Sequence, residues 1–442
     1  MSRGVTVVLL KEPQAGELAR RLVDLVPSPW LMKSFSSIAL FCLVVGVSCA
    51  PPPPAGRIAA VPTPVKYVGP QLGLNNSGLD TALPAKLDKI VKTAIEEAVA
   101  PGVAIAVGRN GHIAYMKGYG YIDWNQPGSP SVDTNTLYDL ASLTKVIATT
   151  TVAMVLEEGG QLDINRTVAS YLPEFNSPEK AQITVKQILT HSGGLEAGAN
   201  IYANARGREQ YLYQINARPL EYAPGTNMIY SDWDMILLQL VMERITGKTL
   251  DVLAAEKIFK PLGMTDTQFQ PSVSLRPRIA PTQVDDARGG LLWGTVHDEN
   301  AWAMGGVAGH AGLFSTARDL ALFSMMILNG GEGANGIRIV KPAAIARWTA
   351  RQGKESSRTL GWDSPEGGSS AGQFFSPWSF GHTGFTGTSI WIDPEKDLFV
   401  VVLTNRVNPT RSNTRHVQLR RDVADAVQQA VLGARIVNWE NR

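Results

Sequence analysis

Asp139-Leu140-Ala141-Ser142-Leu143-Thr144-Lys145-Val146-Ile147-Ala148-Thr149-Thr150-Thr151-Val152-Ala153-Met154-Val155-Leu156 is the stretch on which the reading of this chain turns. Asp139 or Ser142 offers an N-cap, and no proline or glycine follows until Gly159. Val146 to Leu156 carries no charge, so the pattern predicts a helix buried on all sides. Residues three apart share a helical face, which sets the Ser142 hydroxyl and the Lys145 amine one turn apart. Two readings of Lys145 follow. Its stem runs along apolar surface and its amine reaches water, or it is held without full hydration, where it can lose its proton and take one from the serine.

The rest of the chain bounds the answer. At 442 residues it can bury a large core, and a formal net charge of +2 argues against a nucleic-acid partner. The two cysteines, Cys42 and Cys49, both precede the globular part, so the body has no disulfide, thiolate metal site or cysteine nucleophile. Residues 35–48, Phe-Ser-Ser-Ile-Ala-Leu-Phe-Cys-Leu-Val-Val-Gly-Val-Ser, follow Met32-Lys33. This run is too short to span a bilayer but fits a signal-peptide core. The expected targeting region is 1–48, with the signal peptide over 32–48 and Met32 a rival start to Met1. Gly46 and Ser48 lead to Cys49, which resembles a bacterial lipoprotein processing site. Residues 49–80 then read as a proline-rich tether, stiffened by Pro51–Pro54. The expectation is an exported protein, periplasmic or anchored to a membrane of the cell envelope by a lipid on Cys49. Simple secretion or an uncleaved anchor is the alternative.

Residues 81–433 read as one domain. Helical periodicity over 85–99 puts Leu87, Ile90, Val91, Ala94 and Ile95 on one face. Val103–Gly108 and Ile113–Lys117 flank Asn110-Gly111, the strongest short hairpin signal. Short helices and glycine-rich loops follow, including helices over Thr184–Leu189, Trp233–Ile245 and, behind a capping pattern at Thr316 and Asp319, Thr316–Leu328. Thr388–Asp393 and Leu398–Thr404 form a second hairpin around Pro394–Asp397, and Arg415–Val431 closes the chain as a helix. Strands at both ends with helices between argue for an α+β fold on a mostly antiparallel sheet. His297, Asp298, Glu299 and His310 lack the clustered spacing of a metal site, and the Gly305–Gly312 loop lacks a phosphate-cradle fingerprint; no metal and no cofactor are expected. His191 reads as the brace of a turn, and Asp232, in Ser-Asp before an apolar periodic run, as the N-cap of the helix that begins at Trp233.

Three further stretches bear on Ser142: Leu189-Thr190-His191-Ser192-Gly193-Gly194-Leu195, Pro224-Gly225-Thr226-Asn227-Met228-Ile229-Tyr230-Ser231-Asp232, and Gly381-His382-Thr383-Gly384-Phe385-Thr386-Gly387-Thr388. With Ser142-x-x-Lys145, their order and spacing over about residues 80–432 resemble the serine β-lactamase and penicillin-binding-protein superfamily. The closest likeness is to its branch of class C β-lactamases, D-alanyl-D-alanine peptidases and esterases. The resemblance implies a central antiparallel sheet flanked by helices, with a largely helical region inserted between the first and last strands. It further implies Ser142 as nucleophile, Lys145 as the amine that activates it, and Tyr230 as the phenol that exchanges protons with serine and leaving group. Backbone N–H groups of Ser142 and Phe385 would form the oxyanion hole. Asp232, His382, Thr383 and Gly384 would touch substrate, Gly384 and Gly387 letting the strand come close to it.

Two positions depart from the family pattern. His382 stands where a lysine usually pairs with a substrate carboxylate, as it does in family esterases and D-amino-acid peptidases. Asp232 stands where asparagine is usual; a carboxylate cannot donate to a substrate amide, and it would hold Lys145 protonated. The glutamate used by class A enzymes for deacylation has no counterpart. The implied activity is a serine hydrolase forming an acyl-enzyme on small esters, D-amino-acid or peptidoglycan-like peptides, or β-lactams, with β-lactams disfavoured. The alternative is a non-catalytic module on the same fold that binds cell-wall fragments. If His382 binds a carboxylate only when charged, activity on acidic substrates should fall as pH rises past the histidine pKa. Selectivity is expected in the loops over 195–230 and 355–380.

Overall fold

Asn110 and Gly111 both adopt positive φ, 54° and 71°, the pair of left-handed residues that a tight hairpin turn requires. They join β1 (Gly102–Arg109) to β2 (His112–Gly120), slightly longer than the strands read from sequence. These coordinates are a computed structural model, which describes residues 74–124, 128–352, 357–365, 369–434 and 436. The expected signal segment, Cys49 and the proline run lie outside the described residues. The fold is under way before residue 81: Leu74–Ser77 forms a 3-10 turn, and Leu79 is buried and bridges Val431.

The second expected hairpin is also present, as β4 (Ser389–Asp393) and β5 (Leu398–Thr404), with β3 (Phe380–Thr383) on its outer side. The sheet order is β2-β1-β5-β4-β3 and every pairing is antiparallel. Val103 lies opposite Thr404, so the first and last parts of the domain are neighbours at the centre of the sheet. Everything between β2 and β3 is inserted, which is the α+β arrangement expected.

Both faces of the sheet are covered, which is why Leu398-Phe399-Val400-Val401-Val402-Leu403 is apolar throughout instead of alternating. Val103, Ile105, Val107, Val400 and Val402 face one core, with α1 (Leu83–Glu96) and α5 (His416–Gln429). Ala104, Ala106, Ile390, Ile392, Val401 and Leu403 face the other, which contains the inserted helices. Among these, α4 (Ala317–Leu328) packs on β1 and β5, and its N-cap Thr316 accepts from the Asp319 N–H, as the capping pattern predicts.

The stretch after Asp139 is helical but not one regular helix. Ala141–Leu143 is a 3-10 turn, Lys145–Thr150 a π segment, and only α2 (Thr151–Glu158) is α-helical. The threonines supply the cause. Thr151 Oγ1 donates to the Val146 carbonyl at 2.8 Å, and Thr149 Oγ1 donates to Gly309 O at 2.7 Å, drawing the backbone away from regular turns. Ala141 sits at φ 47°, a left-handed conformation that costs a non-glycine residue on the order of 1–3 kcal/mol. Its N–H is held by Asp139 Oδ1 at 2.8 Å, but the cap position falls on Leu140 without a side-chain bond and Ser142 lies inside the turn, so neither expected residue is the N-cap.

The turn after β3 is fastened to this segment. Thr386 Oγ1 donates to Asp139 O at 2.7 Å and Thr388 Oγ1 to Leu140 O at 3.0 Å. A Cβ on Gly384 would lie 2.3 Å from Leu140 O, so the close approach this glycine permits is to the main chain beside Ser142. From α5, the buried Arg420 donates to the carbonyls of Gly387, Gly384 and Thr388. Arg420→Met keeps much of the volume but strands three acceptors. Guanidinium melts of the variant are expected to show a loss of about 3 kcal/mol; an unshifted midpoint would contradict this clamp.

Candidate active site

Lys145 lies at the start of the π segment with no exposed surface. Its ammonium donates to Ser142 Oγ at 2.9 Å and to His310 O at 3.0 Å, and it pairs with Asp232 Oδ1 at 2.7 Å. Three acceptors match the three protons of an ammonium. Burial alone would pull its pKa down, but the Asp232 carboxylate and the Tyr230 hydroxyl outweigh it and raise the pKa above the ordinary lysine value. Of the two readings of Lys145, the solvent-reaching one is excluded. The amine is buried, and it is a cation.

Asp232 was expected as the N-cap of the helix beginning at Trp233. It is instead the first residue of α3 (Asp232–Thr246), and Ser231 occupies the cap position without a capping side-chain bond. The reason is competition: the carboxylate turns to Lys145, while Ser231 Oγ donates to Glu196 O at 2.6 Å. Ligand-type atoms of Asp232, Asp298 and His310 lie within 4.8 Å of one another. The Lys145 ammonium is the cation at that cluster, and His310 Nε2 bonds to Asp298 Oδ1 at 2.8 Å. The other two acidic-run residues pair elsewhere, His297 with Gln283 and Glu299 with Arg411.

Tyr230 is ringed by basic groups. Its ring centroid is 4.8 Å from that of His191 and 5.7 Å from that of His382. Lys145 Nζ lies 4.9 Å and the Arg358 guanidinium 5.1 Å from the same centroid. His191 does brace a turn, at φ 55° and fully buried, and its carbonyl accepts from the Tyr222 hydroxyl and the Ile229 N–H. Its Nδ1 is 2.9 Å from Asp234 Oδ2. Burial drives the Asp234 pKa well up and the His191 pKa well down, so the pair is neutral and the carboxyl O–H donates to the ring.

His382 is 4% exposed, and its Nδ1–H donates to Thr383 O at 2.9 Å. Burial first, then the charges of Arg358 and Lys145, hold its pKa well below the usual histidine value. The expected protonation-dependent grip on a carboxylate is therefore not available to it near neutral pH. Ser142, Tyr230, His382, Thr383, Gly384 and Phe385 share one cavity of about 470 Å³ with Arg358 and Asp363. Asp232 stands behind it, against Lys145.

Sequence reasoning missed four supports. Asp139 was read only as a helix cap; through Oδ2 it also holds the His297 N–H at 2.6 Å, and burial pushes its carboxyl up to about 6. The Asp298–His310 and His191–Asp234 pairs are long-range contacts with no local signature. Arg358 falls inside the loop expected to set selectivity, but nothing in its immediate sequence marks it.

The fold and the order of motifs define a β-lactamase-like α+β protein. A sequence model of the Beta-lactamase family matches residues 87–425, and the chain belongs to that family. A Salmonella agona (strain SL483) protein named "Putative D-alanyl-D-alanine carboxypeptidase" is 34% identical over 375 residues, covering 76% of this chain and 86% of that one. Among solved structures, a class C β-lactamase superposes with a TM-score of 0.66 at 18% identity, covering 80% of this chain and 98% of its own. EstCE1, described as a hydrolase with promiscuous acyltransferase activity, superposes with a TM-score of 0.64 at 21% identity, over 79% of this chain and 99% of its own. These two show likeness of fold.

The histidines give a pH signature. His191 and His382 have pKa values well below normal, and burial takes His297 and His416 to about 3. Below about pH 6.5 the unfolded chain binds protons at these four sites that the folded chain refuses, so stability falls as pH drops. Asp139 and Asp234 oppose this, since the folded chain keeps their protons to higher pH than the unfolded one. Urea melts from pH 7 to 5 are expected to show the net loss. His382→Gln should reduce the slope by one proton, about 1.4 kcal/mol per pH unit; an unchanged slope would mean His382 is charged in the folded state.

Proposed function

We propose that the protein is a serine hydrolase that forms an acyl-enzyme on Ser142 and acts on esters or amides, with small esters and D-amino-acid peptides ahead of β-lactams. The observation that carries this is the 2.9 Å contact between Ser142 Oγ and the buried Lys145 ammonium, in a cavity shared with Tyr230. The relatives named as D-alanyl-D-alanine carboxypeptidases support the amide side of the range, as the structural likeness to EstCE1 supports the fold for it.

Lys145 donates to Ser142, so its charge orients the hydroxyl and balances negative charge, while the proton must leave by way of the Tyr230 phenol. Ser142 Oγ attacks the substrate carbonyl as its proton passes to the Tyr230 oxygen, the phenol in turn releasing its own O–H proton toward the leaving group while Lys145 stays an ammonium. The carbonyl oxygen becomes an oxyanion facing the backbone N–H groups of Ser142 and Phe385. Collapse breaks the bond to the leaving group, which takes the phenol proton and departs. Water then repeats the sequence on the acyl-enzyme, its proton following the same route, and releases the acid with Ser142 restored. Asp232, tied to Lys145, has no N–H to offer a substrate amide, which weighs against β-lactams.

A fluorophosphonate probe should label the wild-type chain and not Ser142→Ala. On p-nitrophenyl esters, which carry no amide for an asparagine to bond, Asp232→Asn should change kcat more than KM, since there it acts through Lys145. Among p-nitrophenyl esters, D-Ala-D-Ala peptides and nitrocefin, nitrocefin is expected to be slowest; nitrocefin turning over fastest would overturn the order, and labelling retained in Ser142→Ala would overturn the nucleophile. We further propose export through the 32–48 segment and lipidation on Cys49. Mass spectrometry of the membrane fraction should find a diacylglyceryl mass on the N-terminal peptide, and an unmodified Cys49 there would refute the anchor.

A further inference from the structure

Asp139 stands three residues before Ser142, is 2% exposed, and receives a donor on each of its oxygens. Oδ1 accepts from the Ala141 N–H at 2.8 Å, Oδ2 from the His297 N–H at 2.6 Å, and the carbonyl from Thr386 Oγ1 at 2.7 Å. The donors belong to three separate parts of the chain: the Ser142 turn, the loop at His297 and the turn after β3. A helix cap would need only the first of them, and the cap position here is Leu140. The other two bonds call for a different account.

Each bond bears on one of the two N–H groups assigned to the oxyanion. Ala141 directly precedes Ser142, so its backbone conformation sets the direction of the Ser142 N–H. At φ 47° that conformation is left-handed, which an alanine holds only against a steric cost, and the bond to Oδ1 opposes its relaxation. Phe385 is reached by two routes. Thr386, the next residue, is tied to the Asp139 carbonyl, and the His297 ring stacks on the Phe385 ring with centroids 5.6 Å apart and planes at 29°. The N–H that Asp139 Oδ2 holds belongs to that same histidine.

We infer that Asp139 is a positioning residue for the reaction, one that fixes the Ser142 and Phe385 N–H groups at the separation an oxyanion needs. This role rests on the Ser142 hydrolase reading. An ionised carboxylate accepts on both oxygens; once protonated, one oxygen becomes a hydroxyl and the charge that strengthens both bonds is gone. Burial pushes the Asp139 carboxyl up to about 6 against the pull of the His297 and Ala141 N–H groups, with the Asp298 carboxylate adding to the rise and Arg288 opposing it. Arg411, Arg288, Arg406 and Asp298 are the charged groups around the His297 ring, which burial keeps neutral down to about 3. The grip is therefore complete above neutral pH and is lost as pH falls through the Asp139 value.

The test follows hydrolysis of p-nitrophenyl butyrate, a neutral ester, between about pH 7.5 and 5, wherever circular dichroism shows the fold intact. In the wild-type chain kcat should fall on the acid side with a midpoint near 6, while KM changes little. Asp139→Asn should lose about 10- to 100-fold in kcat at the upper pH with KM again little changed, and its acid limb should disappear. Ala141→Gly takes the left-handed conformation at no steric cost, so it should shrink the acid limb and recover part of the kcat lost in Asp139→Asn. A wild-type kcat flat over this range overturns the proposal, as does an undiminished limb in Asp139→Asn, or a variant that raises KM and spares kcat. If Asp139→Asn does not fold, Ala141→Gly decides, and an unchanged limb there overturns the proposal. Turnover that survives in Ser142→Ala refutes the underlying hydrolase reading instead. Turnover lost in Ser142→Ala with the limb intact in Asp139→Asn refutes only the role of Asp139.

Discussion

The ion pair between Lys145 and Asp232 is the constraint around which the site is arranged. An ammonium with no exposed surface carries a large desolvation cost unless its charge is matched and its protons are all received. Asp232 supplies the charge, and Ser142 and His310 supply the remaining acceptors. Each comes from a different part of the chain: the Ser142 turn, the start of α3, and the glycine-rich loop before α4. The loop is held in turn by Thr149, by Gln239, which accepts from Gly309 N–H at 2.7 Å, and by the Asp298–His310 pair. Removing either partner of the ion pair would leave an isolated buried charge, so the geometry of three segments depends on one contact.

Around that fixed cation the titratable groups are neutralised one by one. His191 and Asp234 form a proton-sharing pair without net charge, and His382 is neutral by burial and by the nearby cations. The charge that remains beside Ser142 is carried by Lys145 with Asp232, by Arg358 with Asp363, and by Arg406 and Arg420 in the cavity wall. A reaction that builds negative charge beside Ser142 therefore develops it in a field whose sources are fixed before substrate arrives.

Much of this was legible in the sequence because it is local. The Asn110-Gly111 turn, the Thr316 cap, the apolar period of the strands and the Ser142-x-x-Lys145 spacing each depend on neighbours within a few residues. What was misread or missed depends on tertiary partners. Asp232 looked like a helix cap because Ser-Asp before an apolar run normally is one; a lysine on another helix outbid the backbone for it. The π segment was invisible because its apolar, threonine-rich run reads as an ordinary helix, and the bond of Thr149 to Gly309 that accompanies the departure forms only in the folded chain. Arg358 and the bond of Asp139 to His297 gave no signal for the same reason, since both depend on residues distant in the chain and not on what flanks them.

The pairing of β1 with β5 has a consequence in time as well as in space. Thr404 Oγ1 donates to Gly102 O, 302 residues away in sequence, and the two strands form the middle of the sheet. A chain leaving the ribosome exposes β1 and β2 early, yet their open edge stays unmatched until almost the last strand has emerged. The turn that bears Phe385 and the helix that bears Arg420 belong to that final portion. The cavity thus comes into being only at the end of synthesis, and a truncated or half-made chain would hold Ser142 and Lys145 without the wall that makes them a site.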